Sequence, residues 1–156
     1  MKTMNLVAAM SLIAVLASSA VASEQVPFRG SLAVVQSGEV IGGFLVVEGS
    51  GVGNATELGR FTVTFHEQVD LGTGIGTGTY IWVAANGDTV SSSFIGHATP
   101  TPDPNILLLE EVDTITGGTG RFAGATGTFT LERVLNLTSG VSTGSFNGTI
   151  LNRGRR

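Results

Sequence analysis

The chain has 156 residues, of which 42% are hydrophobic, 13% are charged, 23 are glycine and none is cysteine, so it has room for one domain of ordinary size and not for two. Few charges and a mean hydropathy of +0.33 exclude charge-driven disorder, and the lack of cysteine excludes disulfides and thiolate zinc sites. A net charge of −4 argues against general affinity for nucleic acid or anionic membranes, both of which need clustered positive charge.

Lys2 precedes an apolar run from Leu6 to Ala17, and Ala20 and Ala22 then form an A-x-A site. A basic start, a short apolar core and small residues, in that order, mark a secretory signal peptide cleaved after Ala22. The run is too short to span a hydrocarbon core of about 30 Å, so residues 1–22 are expected to be a leader and 23–156 a secreted or periplasmic domain without a membrane span. Lys2 is the only lysine, and its loss leaves seven arginines against 12 acidic residues, a net charge of −5. Three of the arginines, Arg153, Arg155 and Arg156, sit at the C-terminus and read as a solvated end.

Short runs rich in Val, Ile, Thr and Phe alternate with period two and are separated by Gly, Asn, Asp and Pro, the pattern of an all-β chain. Strands are predicted near Ser31 to Gln36, Ile41 to Glu48, Arg60 to Asp70, Gly76 to Ala84, Thr89 to His97, Ile106 to Thr116, Thr126 to Leu137 and Gly144 to Leu151. Gly49 to Asn54 reads as a flexible connection. Asn86-Gly87 reads as a two-residue type I′ turn, since both residue types tolerate positive φ. Thr99 to Pro104, with three prolines, reads as a stiff exposed loop. Eight strands at near-regular spacing suit a barrel or sandwich with antiparallel neighbours, and closure would remove the edges that so few charges could protect.

Thr116 to Gly127, TGGTGRFAGATG, resembles the GGTGRF-x-x-A-x-G signature of dirigent proteins and the allene oxide cyclase barrel-like superfamily. Leu58 to Thr62 and Ala84 to Asp88 are similar to further blocks of its small secreted bacterial members. The resemblance implies a single eight-stranded antiparallel barrel of calycin type, open at one end to a pocket, and admits a homodimer or homotrimer. On their own chemistry, the glycines of this block suit structure: Gly117, Gly118 and Gly120 a tight turn carrying Arg121 and Phe122, and Gly124 and Gly127 an inward-coiling strand. A phosphate cradle would need a following helix and a lysine, and neither is present.

Alternation selects the remaining candidates. Glu67 shares a face with Phe65 and Val69, and Arg133 shares one with Leu131 and Leu135. Such charges read as rim residues where strands leave the barrel or, if they meet in the pocket, as groups that bind or polarise a ligand carbonyl. Tyr80 and Trp82, the only Tyr and Trp, lie on one face and suit either an aromatic pocket or barrel packing. Glu110, Glu111 and Asp113 read as a solvated acidic face, being neighbours along one strand and not a pair across a cleft. His66 and His97 have no metal-ligand spacing, and no cofactor motif or nucleophile elbow occurs. The sequons at Asn54, Asn136 and Asn147 matter only where the host glycosylates them.

The resulting expectation is an exported, non-catalytic barrel that binds a small apolar or aromatic molecule or serves as a stable extracellular module. Two alternatives stand beside it. One is a cyclase or isomerase that shapes a flexible substrate, for which Glu67, Tyr80 and Arg133 would converge in one pocket. The other is an interaction module using the proline-rich loop and outer wall.

Overall fold

The computed structural model describes residues 24–152; the segment expected to be a leader, its expected cleavage site and the terminal arginines lie outside the described residues. Eight strands, β1 (Gln25–Ile41), β2 (Phe44–Ala55), β3 (Gly59–Asp70), β4 (Ile75–Ala84), β5 (Thr89–Pro100), β6 (Ile106–Gly118), β7 (Thr126–Asn136) and β8 (Val141–Leu151), follow one another in space as in sequence. All neighbours are antiparallel, and β8 pairs with β1 to close the barrel. Of the barrel and the sandwich that the periodicity allows, the eight-stranded antiparallel barrel implied by the resemblance is the fold.

Four segments differ from their sequence reading. Thr99 and Pro100 are not loop but the end of β5, paired with Leu108 and Leu107 of β6, so the connection is confined to 101–105. β1 is 17 residues long because its two halves serve different partners, Gln25–Val35 pairing with β8 and Gly30–Ile41 with β2. This stagger is what closing a tilted sheet requires. Pro27 falls before the β2 pairing begins, where a residue without an N–H is tolerated.

The Gly49–Asn54 segment is not a flexible connection but the middle of β2. Gly49 and Gly53 face inward directly opposite Phe65 and Phe61 of β3, and a Cβ at either position would strike the ring. The same complementarity recurs at Gly78 opposite Phe94, and at Gly148 a Cβ would meet the backbone and Cβ of the opposing Phe129. Pairing no side chain with a large one lets an eight-stranded interior fill without voids. Part of the unusual glycine content is thus interior space for an opposing residue.

The β4–β5 connection is a type I turn with a glycine bulge instead of a type I′ turn. Gly87 N–H donates to Ala84 O (2.9 Å), Ala84 and Asp88 close the loop, and only Gly87 has positive φ (88°). Asn86 instead spends its side chain on Asp88, accepting its N–H at 3.1 Å. That is an Asx interaction in place of positive φ.

The interior is dominated by aromatics. Trp82 is fully buried and packs against Phe61, Phe129 and Phe146 at centroid distances of 5.1, 5.7 and 5.2 Å; such pairs each add roughly 0.5–1.5 kcal/mol beyond area burial. One end is closed by the glycine-rich block. Gly117 and Gly118 continue β6 past a register shift opposite Ser91/Ser92, and a single 3-10 turn at Gly120–Phe122 then drives Phe122 into the core. Positive φ at Gly120 (57°) and Gly124 (70°) makes this reversal accessible to glycine. Arg121 lies over the Phe122 ring at 4.8 Å, its Nε 3.7 Å from Asp88 and its Nη2 donating to Leu58 O (3.4 Å). Gly127, also at positive φ (152°), leaves space against Thr149 O in β8. The block is an end plug for the barrel. Among the described residues no helix is long and apolar enough to cross a membrane.

Candidate functional site

The opposite end, carrying the β1–β2, β3–β4, β5–β6 and β7–β8 turns, is open. It leads into a cavity of about 140 Å³ whose wall includes Gln36, Val47, Glu67, Leu109, Glu111 and Leu135. Larger depressions of about 560 Å³ beside His66 and Ile81, and about 480 Å³ beside His97 and Glu132, lie on the outer wall and are open to solvent.

The floor of the mouth is a polar cluster built by strand alternation. Glu111 comes from β6, Arg133 from β7, Tyr80 from β4, Gln36 from β1 and Ser142 from β8. Arg133 Nη2 pairs with Glu111 Oε1, while its Nη1 donates to Gln36 Oε1 (2.9 Å) and Ser142 Oγ (3.0 Å). The Tyr80 hydroxyl donates to the other Glu111 oxygen at 2.7 Å. The Arg133 guanidinium also stands 5.1 Å from the centroid of the Phe65 ring. Buried ions are retained when paired and hydrogen-bonded, and of the fully buried polar atoms in this set only Arg133 Nε is left without a partner. Gly144, directly opposite Arg133, leaves the space its side chain crosses.

A second chain of hydrogen bonds runs deeper. Trp82 Nε1 donates to Ser92 Oγ (3.2 Å), which donates to Asp113 Oδ1 (2.8 Å); Asp113 Oδ2 has no partner. Burial, with the charge of Glu111 adding to it, pushes the Asp113 carboxyl up to about 8 against the Ser92 hydrogen bond. It is therefore predominantly a neutral acid at pH 7. The Tyr80 phenol is raised well above its ordinary value, first by burial and then by Glu111, and acts as a neutral donor.

Arg133 is thus no rim charge: it is 2% exposed and lies inside the barrel. Glu67 is half-buried at the cavity wall, raised to about 7 by burial first and Glu111 second, with Arg133 opposing. The acidic run is not a solvated face either. Glu110 is exposed, but Glu111 and Asp113 are buried at 3% and 0%. Period two places them inward with Leu107, Leu109 and Ile115, and the missing signal was the register that sets Arg133 beside Glu111. Tyr80 and Trp82 pack the interior, as a tilted pair with centroids 5.2 Å apart.

Comparison of the chain with known protein families, curated proteins and solved structures finds no match. The geometry alone therefore describes what the site can do. It offers an apolar mouth with two carboxyls on its wall, Glu67 and Glu111, one of them already gripped by Arg133 and Tyr80. No group of three or more His, Cys, Asp or Glu side chains among the described residues is placed to hold a metal ion.

Proposed function

We propose that this chain is an exported barrel of the dirigent and allene oxide cyclase type that holds one small apolar or aromatic molecule at its open end without transforming it. Membership of that group rests on the GGTGRF block, and export on the leader pattern of residues 1–22. The observation that carries the binding reading is the cavity itself: about 140 Å³, walled mainly by Val and Leu, with two carboxyls. An apolar cavity of about 150 Å³ takes a molecule the size of benzene. The cavity's own volume sets the selection for small compounds.

The test is native mass spectrometry of the protein recovered from its host's exported fraction, followed by NMR titration with a panel of small apolar and aromatic compounds. A small mass lost on denaturation, or shifts confined to Val47, Leu109 and Leu135, supports the reading. An empty chain that binds none of the panel overturns it.

A second reading, a cyclase or isomerase, is favoured by one observation. Glu67, Tyr80 and Arg133 all gather about Glu111, and the Glu67 carboxyl exchanges its proton near neutral pH, as a general acid or base requires. Turnover of the bound compound that Glu67→Gln abolishes while binding persists would replace the first reading with this one.

A further inference from the structure

We propose that the open-end cavity selects a small ammonium carried on an apolar body over a carboxylate of the same size, an assignment that rests on the reading of the mouth as a ligand site. Four ionisable side chains other than tyrosine reach the polar interior, Glu67, Glu111, Asp113 and Arg133, and the single cation is already engaged. Arg133 spends Nη2 on Glu111 and Nη1 on Gln36 and Ser142, and it is 2% exposed behind the wall. An entering anion therefore meets carboxyls and no accessible guanidinium, since the one unpartnered atom of Arg133, Nε, is buried and off the cavity wall. Glu67 is the reverse case. No hydrogen bond holds its carboxyl among the described residues, and a Cβ on Gly76 of β4 would occupy the position of its Oε1. The missing side chain at Gly76 thus makes room for the Glu67 carboxyl itself, an unpaired acid on the wall of an apolar cavity.

The groups facing Glu67 set its proton affinity. Glu111 on β6 repels its charge, Arg133 on β7 attracts it, Tyr80 on β4 is a neutral donor committed to Glu111, and His97 on β5 stands at the cavity margin; Gln36 on β1 and Val47 on β2 carry no charge. The carboxyl titrates at about 7, and an alkylammonium, like a lysine side chain, keeps its charge to about pH 10. Raising the pH from 6 to 8 then increases the ionised fraction of Glu67 about tenfold. The attraction for an ammonium rises with it. Below pH 7 the bound cation displaces the proton of Glu67 into the solvent.

The experiment compares hexylamine, hexanoate and 1-hexanol by NMR titration at pH 6 and pH 8, on the mature protein and on Glu67→Gln. These probes have seven or eight non-hydrogen atoms, about the size such a cavity accepts. Hexylamine is expected to bind about tenfold more tightly at pH 8 than at pH 6, and more tightly than hexanoate at both. 1-Hexanol should bind alike at both pH values. In Glu67→Gln the pH-dependent gain for hexylamine should vanish while 1-hexanol still binds, showing the mouth intact. Hexanoate binding as tightly as hexylamine, or hexylamine binding that ignores pH, overturns the ammonium assignment while 1-hexanol binding upholds the ligand site. Failure of all three probes overturns both.

Discussion

Arg133 and Glu111 reach into the barrel from adjacent strands and pair there, two positions removed from direct opposition, because β6–β7 register places Leu109 against Arg133 and Leu131 against Glu111. Tyr80 and Gln36 hold the two ions from the other side of the interior. With Ser142, the cluster ties the β6–β7 hairpin to β1, β4 and β8.

Removing one partner of this pair leaves the other buried without compensation. Arg133→Met is expected to destabilise the fold by about 3–5 kcal/mol. The double variant Arg133→Met with Glu111→Leu should recover most of that loss, since replacing a buried pair by apolar groups is often near neutral. Urea unfolding of the wild type, both single variants and the double variant measures the coupling. A double variant no more stable than the single would place the loss in packing and not in the orphaned charge.

Asp113 makes stability fall with rising pH. Its folded value is raised from 3.8 to about 8, so the folded chain binds its proton more tightly than the unfolded one. The contribution is complete below about pH 4 and is lost as pH rises through 8, with a slope of up to about 1.4 kcal/mol per pH unit. Glu67, raised from 4.5 to about 7, adds in the same direction over the lower part of that window. Asp113→Asn keeps an oxygen for the Ser92 hydroxyl and cannot ionise. Urea midpoints at pH 5 and pH 8 should fall less in this variant than in the wild type; parallel profiles would show that Asp113 does not titrate in the window.

Gly148→Ala should cost at least about 1–3 kcal/mol, because its Cβ would meet the backbone and Cβ of Phe129 in a filled interior. Gly43→Ala meets nothing within 4 Å and should stay within about 0.5 kcal/mol of the wild type. Thermal unfolding of the two variants side by side reads the difference, and equal losses would mean that interior space is not what glycine supplies.

At the closed end, Phe122 and Arg121 are neighbours with unequal roles. Phe122→Ala empties a fully buried site and is expected to cost about 3–5 kcal/mol. Arg121→Ala removes exposed contacts to Asp88 and to the face of Phe122, worth at most about 1 kcal/mol. Chemical denaturation of both variants checks the order. A larger loss for Arg121 would mean that the ion pair, and not the aromatic plug, closes this end.

Strand number and class were legible because alternation is a local property: a residue's neighbours two positions away already say which face it shares. Eight alternating runs yielded eight strands, and Glu67, Tyr80, Trp82 and Arg133 were separated from the outer face by parity alone. Which inward charge meets which depends on the register between paired strands and on which further strands face them across the interior, as Gln36 of β1 faces Arg133 of β7, and no local pattern contains either. Glu111 and Asp113 therefore looked solvated until Arg133 and Ser92 were brought beside them. The glycines of β2 likewise read as a loop, because the rings of Phe61 and Phe65 that occupy their space belong to the next strand. Sequence by itself determined an all-β chain and its inward and outward faces; tertiary structure decided how those faces fill one another, since packing and charge compensation act across strand registers that alternation does not set.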